Sequence, residues 1–271
     1  MNARSIVLIT AFCLLHSAYC FLPAVSATGP QQLEEILAAL AEHAEEFEAT
    51  LPDFVCVETL TQEAFSQNGK KLRSQVTVST LTGRQIRKQE RGSVLLTFEE
   101  TREVKTVDGK KANADYKVTG SRVIGAFSSI FLSHFSRRDQ RDYLWTLTPK
   151  IEIIRERTCH VIDFKSDSGR KRQFYAFDGQ EYLSRHQGTA WVDAETLQLA
   201  RIDFRELNLP LSVSYMRYRV DYAPVKLGDA TFWLPVSAFT ELQSTDTGMI
   251  SRVTHNYSNY QRFTGQIKIS S

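Results

Sequence analysis

From residue 54 onward the chain alternates between apolar and polar residues, and this alternation restricts the fold more than any other feature. Leu72, Ser74, Val76, Val78 and Thr80 interleave with Arg73, Gln75, Thr77 and Ser79, and Val94, Leu96 and Phe98 interleave with Leu95, Thr97 and Glu99. Successive strand side chains point to opposite faces, so each such run has one packed face and one wet face. Between the runs stand two-residue turn signals: Asn68-Gly69, Asp108-Gly109, Ser168-Gly169, Asp178-Gly179, Gly228-Asp229 and Thr247-Gly248. Short hairpin signals at this spacing predict an antiparallel meander.

Two segments break the alternation. Over residues 31–50, Leu33, Ile36, Leu37, Leu40, Ala44 and Phe47 recur every three or four positions, with Glu34, Glu35, Glu42, Glu45 and Glu46 on other faces. That period predicts an amphipathic helix, opened by Pro30 and closed by Pro52. Over residues 121–135, Val123, Ile124, Phe127, Ile130, Phe131 and Phe135 again fall at helical spacing, predicting one or two short helices. A sheet with one apolar face and two apolar helical stripes predicts an α+β chain. Both helical segments are expected to cover one face of a single curved antiparallel sheet.

The first residues read as an export signal. Arg4 precedes the apolar run Ile6 to Leu15, which is too short for a membrane span of about 20 residues. Val25 and Ala27 then supply the small residues a signal peptidase accepts, predicting cleavage after Ala27. The rival readings are an N-terminal membrane anchor and a lipoprotein processed at Cys20, where the bulky Tyr19 is unfavourable. The expected organisation is a signal peptide over 1–27 and one β-rich domain over 28–271. The product would be periplasmic or secreted, with no transmembrane anchor after cleavage.

Export bears on the cysteines. Cys56 and Cys159 remain after the signal, and an oxidising compartment favours a disulfide between them. Closing so long a loop contributes on the order of 4–5 kcal/mol in the chain-entropy picture. Two buried free thiols and a reactive cysteine are the alternatives. His160 follows Cys159 directly and so points to the other face of a strand, which disfavours the last.

Composition narrows the function. Thirty-three basic and 31 acidic residues leave a formal charge of +2. This is far from the basic excess of a nucleic-acid binder. The chain has no Gly-rich phosphate loop, no HExxH and no GxSxG. No two of His43, His134, His160, His186 and His255 are four residues apart, so no local metal pair is expected. Asp193 and Glu195 flank a hairpin turn, where acids serve the backbone. The expectation is a non-enzymatic protein without metal or cofactor.

Gly188, Trp191, Val192, Asp193, Thr196, Arg201 and Ile202 match a G-x-x-W-V-D-x-x-T-x-x-x-x-R-I pattern. This resembles a hairpin of the LolA/LolB-like periplasmic lipoprotein-carrier superfamily. Tyr222, Val225, Gly228, Leu234 and Pro235 are similar to the next hairpin pair of such proteins. Leu51 to Cys56 resembles a group of uncharacterised exported proteins of acidobacterial type. The resemblance implies a single open, strongly curved antiparallel sheet, a half-barrel, with the helical segments covering its concave face and acyl chains or another hydrophobic ligand bound between them. It therefore implies a periplasmic binding or carrier protein for a lipid, a lipoprotein acyl chain or another hydrophobic ligand. The alternative is an envelope adaptor that binds another protein through its surface. From periodicity alone, Leu37, Leu40, Phe47, Phe127, Ile130 and Phe131 are the candidate ligand-lining residues.

Overall fold

A computed structural model describes residues 29–90, 93–113, 115–116, 127, 129–169, 174–177 and 179–263. The predicted signal over 1–27 lies outside them, as do Val123 and Ile124.

The first element is helix α1 (Gly29–Thr50), 22 residues long. It buries Ile36, Leu40, Ala41, Ala44 and Phe47 and exposes its glutamates. At about 1.5–3 kcal/mol per large side chain, Ile36, Leu40 and Phe47 contribute on the order of 5–9 kcal/mol. Tertiary burial of this kind, more than intrinsic propensity, holds such a helix. Its last turn closes with the Thr50 hydroxyl on the Glu46 carbonyl at 2.7 Å, and Pro52 prevents continuation.

Strands β1 (Phe54–Phe65), β2 (Lys71–Glu90), β3 (Ser93–Val107) and β4 (Lys110–Lys111) form the first antiparallel wing. Helix α2 (Ser129–Phe135) and a short 3-10 turn (Gln140–Asp142) follow. The second wing comprises β5 (Tyr143–Ile154), β6 (Arg157–Ser166), β9 (His186–Asp193), β10 (Leu199–Glu206), β11 (Val213–Leu227), β12 (Ala230–Ser244) and β13 (Ile250–Arg262). Between β6 and β9, strands β7 (Phe174–Phe177) and β8 (Gln180–Leu183) pair only with each other.

The two wings make one curled sheet of eleven strands in the order β4-β3-β2-β1-β13-β12-β11-β10-β9-β6-β5. The pairing of β1 with β13 fastens the first strand of the described residues to the last. Both helices lie on the concave face, as the sequence pattern predicts. Ile36, Leu40, Phe47, Phe127, Phe131 and Phe135 form one core with Phe54, Leu81, Ile162, Phe164, Ile202, Val220 and Leu234 from the sheet.

Glycine is required inside β2. A Cβ on Gly83 would lie 2.5 Å from the Phe98 ring and 2.8 Å from Phe54. The missing side chain lets those two rings stack at 5.6 Å across β2.

The expected Cys56–Cys159 disulfide is not formed: both thiols are free and buried. Cys56, on β1, belongs to the helix-facing core. Ile162 and Phe164 face the helices from β6, so Cys159, an odd number of residues before Ile162, points the other way. It packs with Ile154 and Ala200 in a separate cluster. Five strands also intervene between β1 and β6. Burial pushes the Cys56 thiol up to about 12, with Glu58 adding to the shift. Burial likewise pushes Cys159 to about 11, with Asp193 adding.

Candidate functional site

Where α1 ends, it stands away from the rim of the sheet and leaves a cleft of about 390 Å3. The helix supplies His43, Glu46, Phe47 and Thr50, and α2 supplies Phe131. The opposite wall is the β11–β12 hairpin, with Tyr222 and Leu227 on one strand and Ala230, Thr231, Phe232 and Trp233 on the other. Leu199 from β10 joins the floor, while Asp229 and Arg262 stand at the rim. The buried part of the lining, Phe47, Phe131, Leu199, Tyr222 and Leu227, is aromatic and aliphatic, while Glu46, Thr50, Asp229, Thr231 and Arg262 are exposed around it.

Hydrogen bonds fix the helical wall. The His43 ring lies 3.3 Å from the Thr196 carbonyl through Nε2, and the Gln198 amide donates to Nδ1 at 3.0 Å. Through these two contacts the ring ties α1 to the β9–β10 turn. Asp193 shapes that turn by accepting the backbone N–H groups of Glu195 and Thr196 at 3.2 and 2.8 Å. Asp193 serves the backbone, as its position implied, while Glu195 is exposed and contributes its backbone N–H. Behind the opposite wall, the Arg157 guanidinium lies 5.0 Å from the Trp233 ring and is paired to Asp193 at 3.0 Å.

Of the six candidate lining residues, Phe47 and Phe131 reach the cleft, meeting edge to face at 5.8 Å. Leu40, Phe127 and Ile130 lie buried in the core, with Phe127 4.7 Å from the Tyr257 ring. Leu37 is half-buried, and its carbonyl accepts from Gln140 at 2.6 Å. Periodicity missed the sheet wall. Its signal was the aromatic group Tyr222, Phe232 and Trp233 around the Gly228-Asp229 turn, in a segment read for its turn and its resemblance and not for a ligand wall.

Tyr222 is unusual among the lining residues. It is 4% exposed, and its hydroxyl has no hydrogen-bond partner among the described residues. Burial, reinforced by Asp221, holds the phenol well above its ordinary pKa, so it remains a donor.

Two buried polar clusters lie elsewhere on the sheet. In the first, Glu58 is fully buried and accepts from Arg102 Nε and Nη2 at 2.7 and 3.0 Å and from His255 Nδ1 at 2.8 Å. Burial alone would raise the Glu58 carboxyl, but the bonds from His255 and Arg102 outweigh it and hold it below the usual range. In the second, Ser184 donates to Glu206 at 2.7 Å and lies 2.8 Å from His186 Nε2, while Tyr143 meets Nδ1 at 3.2 Å. A serine nucleophile needs its acid on the imidazole nitrogen away from the serine. Here Glu206 also faces Nε2, at 3.3 Å, so the serine proton is directed to the carboxylate. The cluster braces the sheet against the His134 ring, which stacks on His186 at 4.9 Å. Among the described residues, no three His, Cys, Asp or Glu side chains converge as metal ligands. No helix among them is long and apolar enough to cross a membrane.

No protein-family model and no curated protein matches the chain. Among solved structures, a DUF1329 family protein from Desulfovibrio piger is similar at 14% identity and a TM-score of 0.36, over 85% of this chain and 94% of that one. The lipoprotein LppX of Mycobacterium tuberculosis is similar at 9% identity and a TM-score of 0.32, over 87% and 99% of the two chains. Likeness this distant carries neither a function nor a residue role to the present chain.

Proposed function

We propose that this chain is an exported binding protein that carries a hydrophobic ligand, a lipid or an acyl chain, in the cleft between α1 and the β11–β12 hairpin. The observation behind this reading is the cleft itself, with its apolar buried lining and the exposed charged residues around it. Small-molecule sites run about 300–1,000 Å3, lined mainly by apolar and aromatic side chains with a few placed polar groups. A volume of about 390 Å3 is at the low end of that range and suits one chain or one compact apolar group. Export follows from the signal read at residues 1–27, and no catalytic step is assigned.

The test is titration with N-phenyl-1-naphthylamine, a neutral dye that fluoresces in apolar sites. Ala230 is exposed on the cleft wall, so Ala230→Trp fills the space without entering the core. Wild-type protein should bind the dye, and the variant should lose about tenfold or more, roughly 1.4 kcal/mol. Wild-type protein that binds neither the dye nor an acyl competitor would remove the carrier reading. The adaptor reading would then take its place. That second reading has its own support in edge strand β5, where Leu144, Ile151 and Ile153 are 61%, 56% and 74% exposed.

A further inference from the structure

We infer that Tyr222 is the specificity-determining residue of the cleft, and that the ligand is a neutral apolar molecule bearing an acceptor oxygen, such as an ester or ketone. The inference rests on the cleft reading and narrows it to a chemical class. A buried hydroxyl without a partner is rare in native proteins, because leaving a polar group unpaired in the interior is costly. Among the described residues the hydroxyls of Thr77, Ser79, Thr240, Tyr257 and Tyr222 are in this state, and of these Tyr222 is the one that lines the cleft. Its hydroxyl is out of reach of bulk water, so the partner it lacks comes in with the body of the ligand. Phe131, which also lines the cleft, has its ring centroid 6.1 Å from that of Tyr222.

The charge of the lining selects against an anion. Glu46 and Asp229 oppose the single guanidinium of Arg262. A free carboxylate would enter a mouth with an excess of negative charge and find no cation at the floor. An ester presents the same carbonyl oxygen without the charge, and a phenol can donate to it.

Displacement of N-phenyl-1-naphthylamine by methyl decanoate, decanoate and undecane tests this. Wild-type protein should prefer the ester to the hydrocarbon by about three- to tenfold, the worth of one ordinary hydrogen bond. It should also prefer the ester to the acid. In Tyr222→Phe the ester should fall to the level of the hydrocarbon, while the thermal midpoint stays level or rises because an unpaired hydroxyl has been removed. An ester preference that survives in Tyr222→Phe, or is missing from a wild type that binds the dye, overturns the inference and leaves the cleft reading standing. A variant several degrees less stable would show that the hydroxyl has a partner within the fold, which also overturns it. A wild type that fails to bind the dye removes the cleft reading and this inference together.

Discussion

Replacing Arg102 with methionine should unlock the buried charge at the centre of the sheet. Glu58 is fully buried and holds three charge-assisted hydrogen bonds, two of them from Arg102. Arg102 also bonds Glu100 at 2.9 Å, so it is the cation between two carboxylates. Its loss leaves Glu58 with the His255 bond and brings the two carboxylates into uncompensated repulsion. Breaking such a pair by removing one partner costs about 3–5 kcal/mol, a large share of a typical domain's stability. Urea denaturation at pH 7 reads that cost directly. Adding Glu58→Leu to the same chain should return most of it, since the stranded charge is then gone. The acid limb gives an independent reading. Glu58 is depressed from its ordinary value of 4.5, so between the two values the unfolded chain binds more protons than the folded one. Its contribution is therefore complete above pH 4.5 and is lost as pH falls through the depressed folded value. In Arg102→Met, burial is less fully offset, and the loss should begin at higher pH. An Arg102→Met variant within about 1 kcal/mol of wild type, with an unchanged acid limb, would refute the reasoning.

Gly188→Ala should be strongly destabilising, because a Cβ there would lie 2.2 Å from the Asp203 carbonyl oxygen and 2.7 Å from the Phe204 Cα. Backbone cannot yield as a side-chain tip can, so a cost of about 3 kcal/mol is expected by thermal or urea melting. A near-neutral variant would contradict the packing of β9 on β10. Both Cys56 and Cys159 should titrate as free thiols in denaturant and resist labelling in the native state, since burial raises both pKa values. A melting point lowered by reductant would contradict the two-cluster placement.

The strands and helices were legible because alternation and helical period report directly on which face is buried. Helix α1 was predicted from Leu33, Ile36, Leu40 and Phe47 and runs over Gly29–Thr50. The β5–β6 hairpin was not legible. Its turn is Arg155-Glu156, both at positive φ of 48° and 67°, where glycine or asparagine usually signals the bend. Pairing on either side, Ile154 with Arg157, holds these two residues in that conformation. The disulfide expectation failed for a related reason. Compartment chemistry argues for pairing two thiols, but strand order and face parity decide whether they can meet. Neither is visible until β1 is known to pair with β13. The cleft was half legible, because Phe47 and Phe131 carry a helical period while Tyr222, Phe232 and Trp233 come from strands whose curvature brings them under the helix end. The Glu58–Arg102–His255 cluster spans three strands far apart in sequence, and no local spacing announces it.

Native mass spectrometry of the protein purified from its own cell envelope tests the central claim most directly. The account predicts a bound neutral apolar molecule that stays with wild-type protein and is absent from Ala230→Trp prepared in parallel. Wild-type protein emerging at its bare polypeptide mass, or an adduct equally retained by the cleft-filled variant, would contradict it.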